Sequence, residues 1–389
     1  MVDGAAAPEV VEPDWLREGR DRAKGLEFDL PSSKQKGWEF TDLSGLDLDA
    51  YSEAVARVDG ISAPDGAVVM PLAEAAVRHP ELVRGRLGEI VPAADIFTAR
   101  NESRWRDGVL VHVPDGVQLT EPLRLTIAGG DSEEIEWRAL VVIGEGAEAE
   151  VWERYESDGE TLFNGVVELA VGDAANLRYV CEQELSERSW VFATQRAEVG
   201  RDASLDWVAL GFGSARGKVR METKLAGRGS SARVTGAYAG DGVQHLDYDT
   251  TQEHAAEDTT SDLAFRGVLA ERATAVWRGM IRVDPGAQRT DAFQESRNLL
   301  LSTDAHADAI PGLEIEADDV RCTHAAAVAQ VDPEQLYYLR SHGLDEGEAK
   351  SLVVEGFLQE LVVRAKEGPI RDVLAAELER RLDELLATA

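Results

Sequence analysis

A turn sequence that recurs at near-constant spacing restricts this chain more than any other feature. The segments IGEGAEAEV from Ile143, VGDAANLRY from Val171, VGRDASLDW from Val199 and AGRGSSARV from Ala226 follow one another at intervals of 28, 28 and 27 residues. A fifth copy, LAERATAVW from Leu269, comes after a longer interval and carries Ala270 where the others carry glycine. Each unit reads as a strand, a tight turn that needs a permissive backbone, a small inward Ala or Ser, and a second strand with apolar residues facing in. One such unit cannot bury its own apolar face, so a fixed period of this length predicts a stacked, β-helix-like body. A β-sandwich with similar hairpins stays open as the alternative, because the copies share few identical residues.

The flanks have a different texture. Asp14 to Leu26 reads as a charged helix, Pro31 to Lys36 as a linker and Pro71 to Leu87 as a more apolar helix. From about Val109 short β-rich runs take over, among them VLVHV, LRLTI, RALVVI and LDWVALGF, separated by Gly, Asp and Ser. From Asp332 the pattern is helical again, in three segments: DPEQLYYLRSHGL, EGEAKSLVVEGFLQELVVRAKEG and PIRDVLAAELERRLDELLATA. Asp332 followed by Pro333 is a helix start, and Gly343 and Gly368 are helix stops. The middle segment places Leu352, Val353, Gly356, Phe357, Glu360, Leu361 and Arg364 near one stripe, predicted to face a core or a partner. The expected division is a helical and mixed region over 1–105, a β-helix core over 106–331 and a helical region over 332–389.

Charge excludes whole classes of partner. With 40 Lys and Arg against 73 Asp and Glu, the formal charge is −33, and such a surface repels phosphate backbones and anionic headgroups alike. Neither nucleic acid nor membrane is an expected partner. Only seven of the cations are lysines and the carboxylates are spread through every segment, which reads as a solvated, halophilic surface whose self-repulsion salt would screen. The two cysteines, Cys181 and Cys322, form no CxxC pair, so neither a disulfide framework nor a four-cysteine site is available within one chain. The start MVDGAAAPEVVEPDW lacks a basic n-region and an apolar h-region, and a cytoplasmic location is expected.

Most catalytic motifs are missing. GFGSARGKV, 211–219, has the wrong glycine spacing for a phosphate loop and Val219 in place of the hydroxyl that would hold magnesium. There is no GxSxG elbow, no HExxH helix, and no pair of histidines at i, i+4. The one compact constellation is Asp318-Asp319-Val320-Arg321-Cys322-Thr323-His324, where strand alternation would put Cys322 and His324 on one face and Thr323 on the other. A thiolate beside an imidazole suits iron or zinc; a packed thiol beside a hydrogen-bonded histidine is the plainer account. Two ligands do not close a site, so a second chain would have to complete it.

The run from Ser296 to Leu344, with RNLLLS, then PGLEI, then ADDVRCTHAAAV, then DPEQLYYLRSHGL, resembles the C-terminal signature of the SufB/SufD family of iron–sulfur cluster assembly scaffolds. GWEFTDLSGL, 37–46, is similar to the short aromatic-acidic motif of the same family. The resemblance implies a mainly β protein, a right-handed parallel β-helix (β-solenoid) core with α-helical N-terminal and C-terminal regions. It also implies a non-catalytic subunit that pairs with a SufB-like subunit and docks a SufC-like ABC-type ATPase on its C-terminal helices. An isolated chain could instead pair with its own copy. No tightly bound cofactor is implied, only a transient iron–sulfur cluster shared across the subunit interface. SufB-like members carry a cysteine where this chain has Ser296 and a glutamate where it has Ala325, so the residues favour SufD. In SufD-like members the histidine of the CxH element faces the partner's cysteine; that role falls to His324 as metal and cluster ligand, with Cys322 as its neighbour and second candidate. Two other classes compete: a β-helix enzyme on acidic polysaccharide, disfavoured by the acidic surface, and a purely structural subunit that binds the ATPase without touching the cluster.

Overall fold

A computed structural model describes residues 11–60, 63–365 and 368–388. The chain alternates between two long sheets, so that each strand pairs in parallel with the next but one. The first sheet runs from Asp107–Val113 to His306–Ile315 and the second from Leu123–Gly129 to Val320–Gln330, which makes a β-solenoid of about eight turns. In-register pairing stacks equivalent side chains. Ile143, Val171, Val199, Leu225, His254 and Val283 form one such column along the interior, each at most 5% exposed. Trp137, Trp207 and Trp277 are wholly buried in the same core.

The repeated turn is the corner from the first sheet to the second, and its requirement is one residue in the left-handed region. Gly146, Ala174, Asp202, Gly229, Asp258 and Arg289 have φ of 64, 55, 55, 75, 60 and 61°. Each donates its backbone N–H to a carbonyl of the following turn: Gly146 to Asp173, Ala174 to Arg201, Asp202 to Arg228, Gly229 to Glu257, Asp258 to Gln288 and Arg289 to Asp319, at 2.6–3.2 Å. The small residue after it is interior, as the pattern predicts: Ala147, Ala175, Ala203 and Ser230 are at most 1% exposed. The assignment of Leu269 as the fifth copy is wrong. That segment turns from the second sheet back to the first, at the opposite corner. The true fifth copy follows His254, where HAAEDTT contains no glycine and Asp258 takes the left-handed position. Glycine was the signal read from sequence, but the glycine common to the four copies, Gly144, Gly172, Gly200 and Gly227, lies two residues before the left-handed position, and there the fifth copy has Ala256.

Both outer faces are covered. The N-terminal region lies on the first sheet, where Trp38, Leu43, Leu46 and Phe97 pack on Leu162, Trp190 and Phe192. The expected Asp14 to Leu26 helix forms as Asp14–Lys24; the stretch beginning at Pro71 breaks into Leu72–Arg78 and Pro80–Val83, because His79-Pro80 interrupts it. Helices Glu346–Arg364 and Pro369–Thr388 cover the second sheet, setting Val354, Leu358, Leu361, Leu374, Leu378 and Leu382 on Val208, Leu210, Phe212, Val268 and Leu299. The buried stripe of Glu346–Arg364 is therefore rotated from the expected one: Val354 and Leu358 are inside, whereas Leu352 is 48% exposed. The helix is apolar on two sides, and periodicity alone does not choose between them. Helix Pro333–Ser341 starts as predicted, with the Asp332 carboxylate accepting from the Glu334 N–H.

The two ends of the solenoid differ. At the N-terminal end, Val68–Pro71 pairs antiparallel with the first strand of one sheet and Arg57–Asp59 with the first strand of the other. These short strands blunt the edges. At the C-terminal end no described strand follows His306–Ile315 or Val320–Gln330.

Candidate functional site

The CTH segment lies on that uncovered end. Val320–Gln330 pairs with Thr290–Leu300 so that Ala292, Gln294, Ser296 and Asn298 oppose Cys322, His324, Ala326 and Val328. Those four partners are at most 2% exposed and face the interior. In-register neighbours of a parallel sheet share a face, so Cys322 and His324 continue the interior column past its last covered turn, and Thr323 lies on the other face. The alternation read from sequence is what the register shows. Because nothing described stacks on this turn, residues of interior type reach solvent: Val328 is 43% exposed, Leu313 37% and Ile315 42%.

The two candidates have different surroundings. Cys322 is half-buried beside Ala317 and Val320, against Ile281, Val283, Ala287 and Ala292. Burial, with the Asp291 carboxylate in addition, pushes its thiol pKa up, so the thiol keeps its proton unless a metal displaces it. His324 is exposed, opposite the buried Gln294, whose Nε2 donates to the carbonyl of Gly312 at 3.1 Å. Its ring nitrogens stand at the open rim of the solenoid, where a second chain can reach them.

Among the described residues, one group of three potential ligands converges, and it is elsewhere: Glu182, Glu184 and Glu377. Arg154 and Arg380 interleave with them, Arg380 Nε lying 2.8 Å from Glu377 and Arg154 Nη1 3.9 Å from Glu182. Burial pushes the Glu182 carboxyl up to about 7. This is an ion-pair network fixing helix Pro369–Thr388 to the second sheet. Among the described residues no third potential ligand converges with Cys322 and His324.

Ser296 and Ala325, at which the resemblance favours SufD, occupy different places. Ser296 is wholly buried one turn deeper, opposite Ala326, and Ala325 lies opposite Glu295. The aromatic-acidic motif turns out to be a clasp. Trp38 packs on Phe97 and Phe192, with ring centroids 5.5 and 6.3 Å away. The Thr41 hydroxyl lies 3.2 Å from His245 Nε2 and donates to Asp247, which Lys218 Nζ meets at 2.8 Å. Sequence reading missed His245, Asp247 and Lys218 because their partner is some two hundred residues away. It also missed a local signal, three arginines within RNESRWR, 100–106, in an acidic chain.

The family described as "SUF system FeS cluster assembly, SufBD core domain" matches residues 126–357, and "SufBD protein N-terminal region" matches residues 48–125. A SufBD family iron–sulfur cluster assembly protein of Mycobacterium tuberculosis is 31% identical over 92% of this chain and 90% of its own length. The iron–sulfur cluster assembly protein SufD of Bacillus subtilis is 28% identical over 95% of both chains. A SufBD family protein of Synechocystis is 27% identical over 86% of this chain and 72% of its own.

Proposed function

The chain belongs to the SufBD family of iron–sulfur cluster assembly proteins, and from that premise we propose that it is a SufD-type scaffold subunit, working without catalysis of its own in the cytoplasm. It pairs end to end with a SufB-like subunit and docks a SufC-like ATPase on its C-terminal helices. The nascent cluster is its cargo, held between subunits with His324 as this chain's ligand and Cys322 as the second candidate.

The observation that carries this reading is the placement of His324 and Cys322 on the interior register of the terminal strand, at a solenoid end that nothing described covers. An exposed strand edge with apolar neighbours is a template for another chain, and this one presents Leu313, Ile315 and Val328. Ser296 and Ala325 withhold the thiol and carboxylate of a SufB-like chain. Tyr337 and Tyr338, 77% and 62% exposed on Pro333–Ser341, and Val363, 63% exposed on Glu346–Arg364, give the C-terminal region an apolar surface for the ATPase. Among the described residues no helix is long and apolar enough to cross a membrane.

Co-expression with a SufB-like chain and a SufC-like ATPase tests the pairing. Val328→Asp with Leu313→Asp puts two carboxylates into the end face; we expect the SufB-like chain to be lost while the ATPase still co-purifies. Retention of the SufB-like chain by this variant would place the interface elsewhere.

A further inference from the structure

A cleft of about 690 Å³ lies at the outer side of the first sheet, where helix Asp14–Lys24 packs beside helix Ile96–Arg104. Its charge runs against the molecule. Five cations line it, Arg20, Lys24, Arg100, Arg104 and Arg106, against two anions, Glu12 and Glu53, whereas the whole chain has 40 cations and 73 anions. A solvated acidic surface explains excess carboxylates anywhere; it does not explain a concave site where cations predominate.

The arginines are held rather than loose. Arg20 stacks on Trp105, its Cζ 4.2 Å from the ring centroid. Arg100 is 13% exposed and grips Glu134 with Nε and Nη2, the latter at 2.8 Å. Arg104 Nη1 also lies 3.4 Å from Glu134 Oε2, and it shares a second carboxylate with Arg106. Arg104 Nη1 lies 3.3 Å from Glu53 Oε1 and Arg106 Nη2 3.0 Å from Glu53 Oε2, so each oxygen of one carboxylate meets its own guanidinium. Glu53 is 45% exposed, on a short strand that places it directly opposite the buried Glu134. Two guanidiniums on two oxygens of an exposed carboxylate is also the arrangement in which arginines hold a phosphate. Leu26 and Phe28, 44% and 38% exposed, supply an apolar wall, and the volume falls in the small-molecule range of roughly 300–1,000 Å³.

We propose that this cleft binds a phosphate-bearing small molecule, its phosphate taken by Arg104 and Arg106 in place of the Glu53 carboxylate and its apolar body resting on Leu26 and Phe28. Glu53 is then an internal competitor that occupies the two arginines in the empty protein. This site is separate from the cluster site and stands whether or not His324 is a ligand.

Isothermal titration of the full chain with ADP, and with citrate as a carboxylate of similar charge, tests it. Glu53→Gln removes the competitor and should tighten ADP binding, while Arg104→Ala and Arg106→Ala should each weaken it at least about tenfold, the effect of losing one charged hydrogen bond. Arg106 is 67% exposed, so its truncation leaves the fold intact, to be verified by circular dichroism. No ADP binding by either the wild type or Glu53→Gln, unchanged affinity in both arginine variants, or citrate bound as tightly as ADP would each overturn the proposal.

Discussion

His254 occupies a place that its stacked neighbours give to leucine and valine. It is 0% exposed, with Nδ1 2.8 Å from Thr259 Oγ1 and Nε2 2.9 Å from Ser261 Oγ. Burial pushes its pKa down to about 4. The unfolded chain takes up this proton near pH 6.5 and the folded chain only near 4, so its effect is absent above pH 6.5 and stability is lost as pH falls from there towards 4. The loss by pH 4.5 is about 2 to 3 kcal/mol. His254→Gln should therefore lose less stability than the wild type between pH 7 and pH 4.5 in urea titrations; equal losses would contradict the assignment. At this scale the sequence was legible where neighbours in the chain are neighbours in space. The shared face of Cys322 and His324 follows from alternation alone, whereas the clasp of Thr41 on His245 is not visible without the fold. The burial of Ser296 is likewise a property of the stack, not of its own segment.

The turn and the docked helix are the elements that decide the architecture. The period was legible because the first four corners share a glycine, Gly144, Gly172, Gly200 and Gly227, at which a methyl group would run into the preceding turn; its phase was lost after Gly229, when Ala256 took the place of that glycine. Gly146 lies at φ 64°, and a methyl group added to it would meet nothing within 4 Å, whereas at Gly229 it would run into the Asp202 carboxylate. Gly146→Ala should cost about 1 kcal/mol, from backbone strain without a clash, and a loss several times larger would mean that the turn is also packed. The C-terminal helices were legible as helices but not as a cover. Eight of their side chains, Val354, Leu358, Leu361, Val362, Leu374, Leu378, Leu382 and Leu385, are buried with the second sheet. At about 1.5–3 kcal/mol each, that burial is comparable to the whole stability of a domain. A chain ending at Leu344 should consequently aggregate rather than survive as a bare solenoid, and a soluble, folded fragment in light-scattering and circular dichroism measurements would show that the helices only rest on the sheet. Loss of ATPase binding by such a truncation is for this reason no test of the docking site; substitution of Tyr337 and Tyr338 is.

For the whole molecule, a formal charge of −33 is borne on a body whose two faces and N-terminal end are covered by its own chain. Lowering ionic strength from about 1 M to 0.01 M stretches the screening length from roughly 3 to 30 Å, and carboxylate repulsion then acts across the surface. The thermal midpoint should fall in dilute buffer, and a midpoint independent of potassium chloride concentration would argue against a salt-adapted surface. Among the described residues no strand follows at the C-terminal end of the solenoid, where Cys322 and His324 lie. The most direct measurement is the visible absorption of the complex with a SufB-like chain and a SufC-like ATPase, purified without oxygen, for the wild type and for His324→Ala. The account predicts that the variant assembles the same complex and loses the cluster absorption; an assembled complex whose cluster yield is unchanged would contradict it.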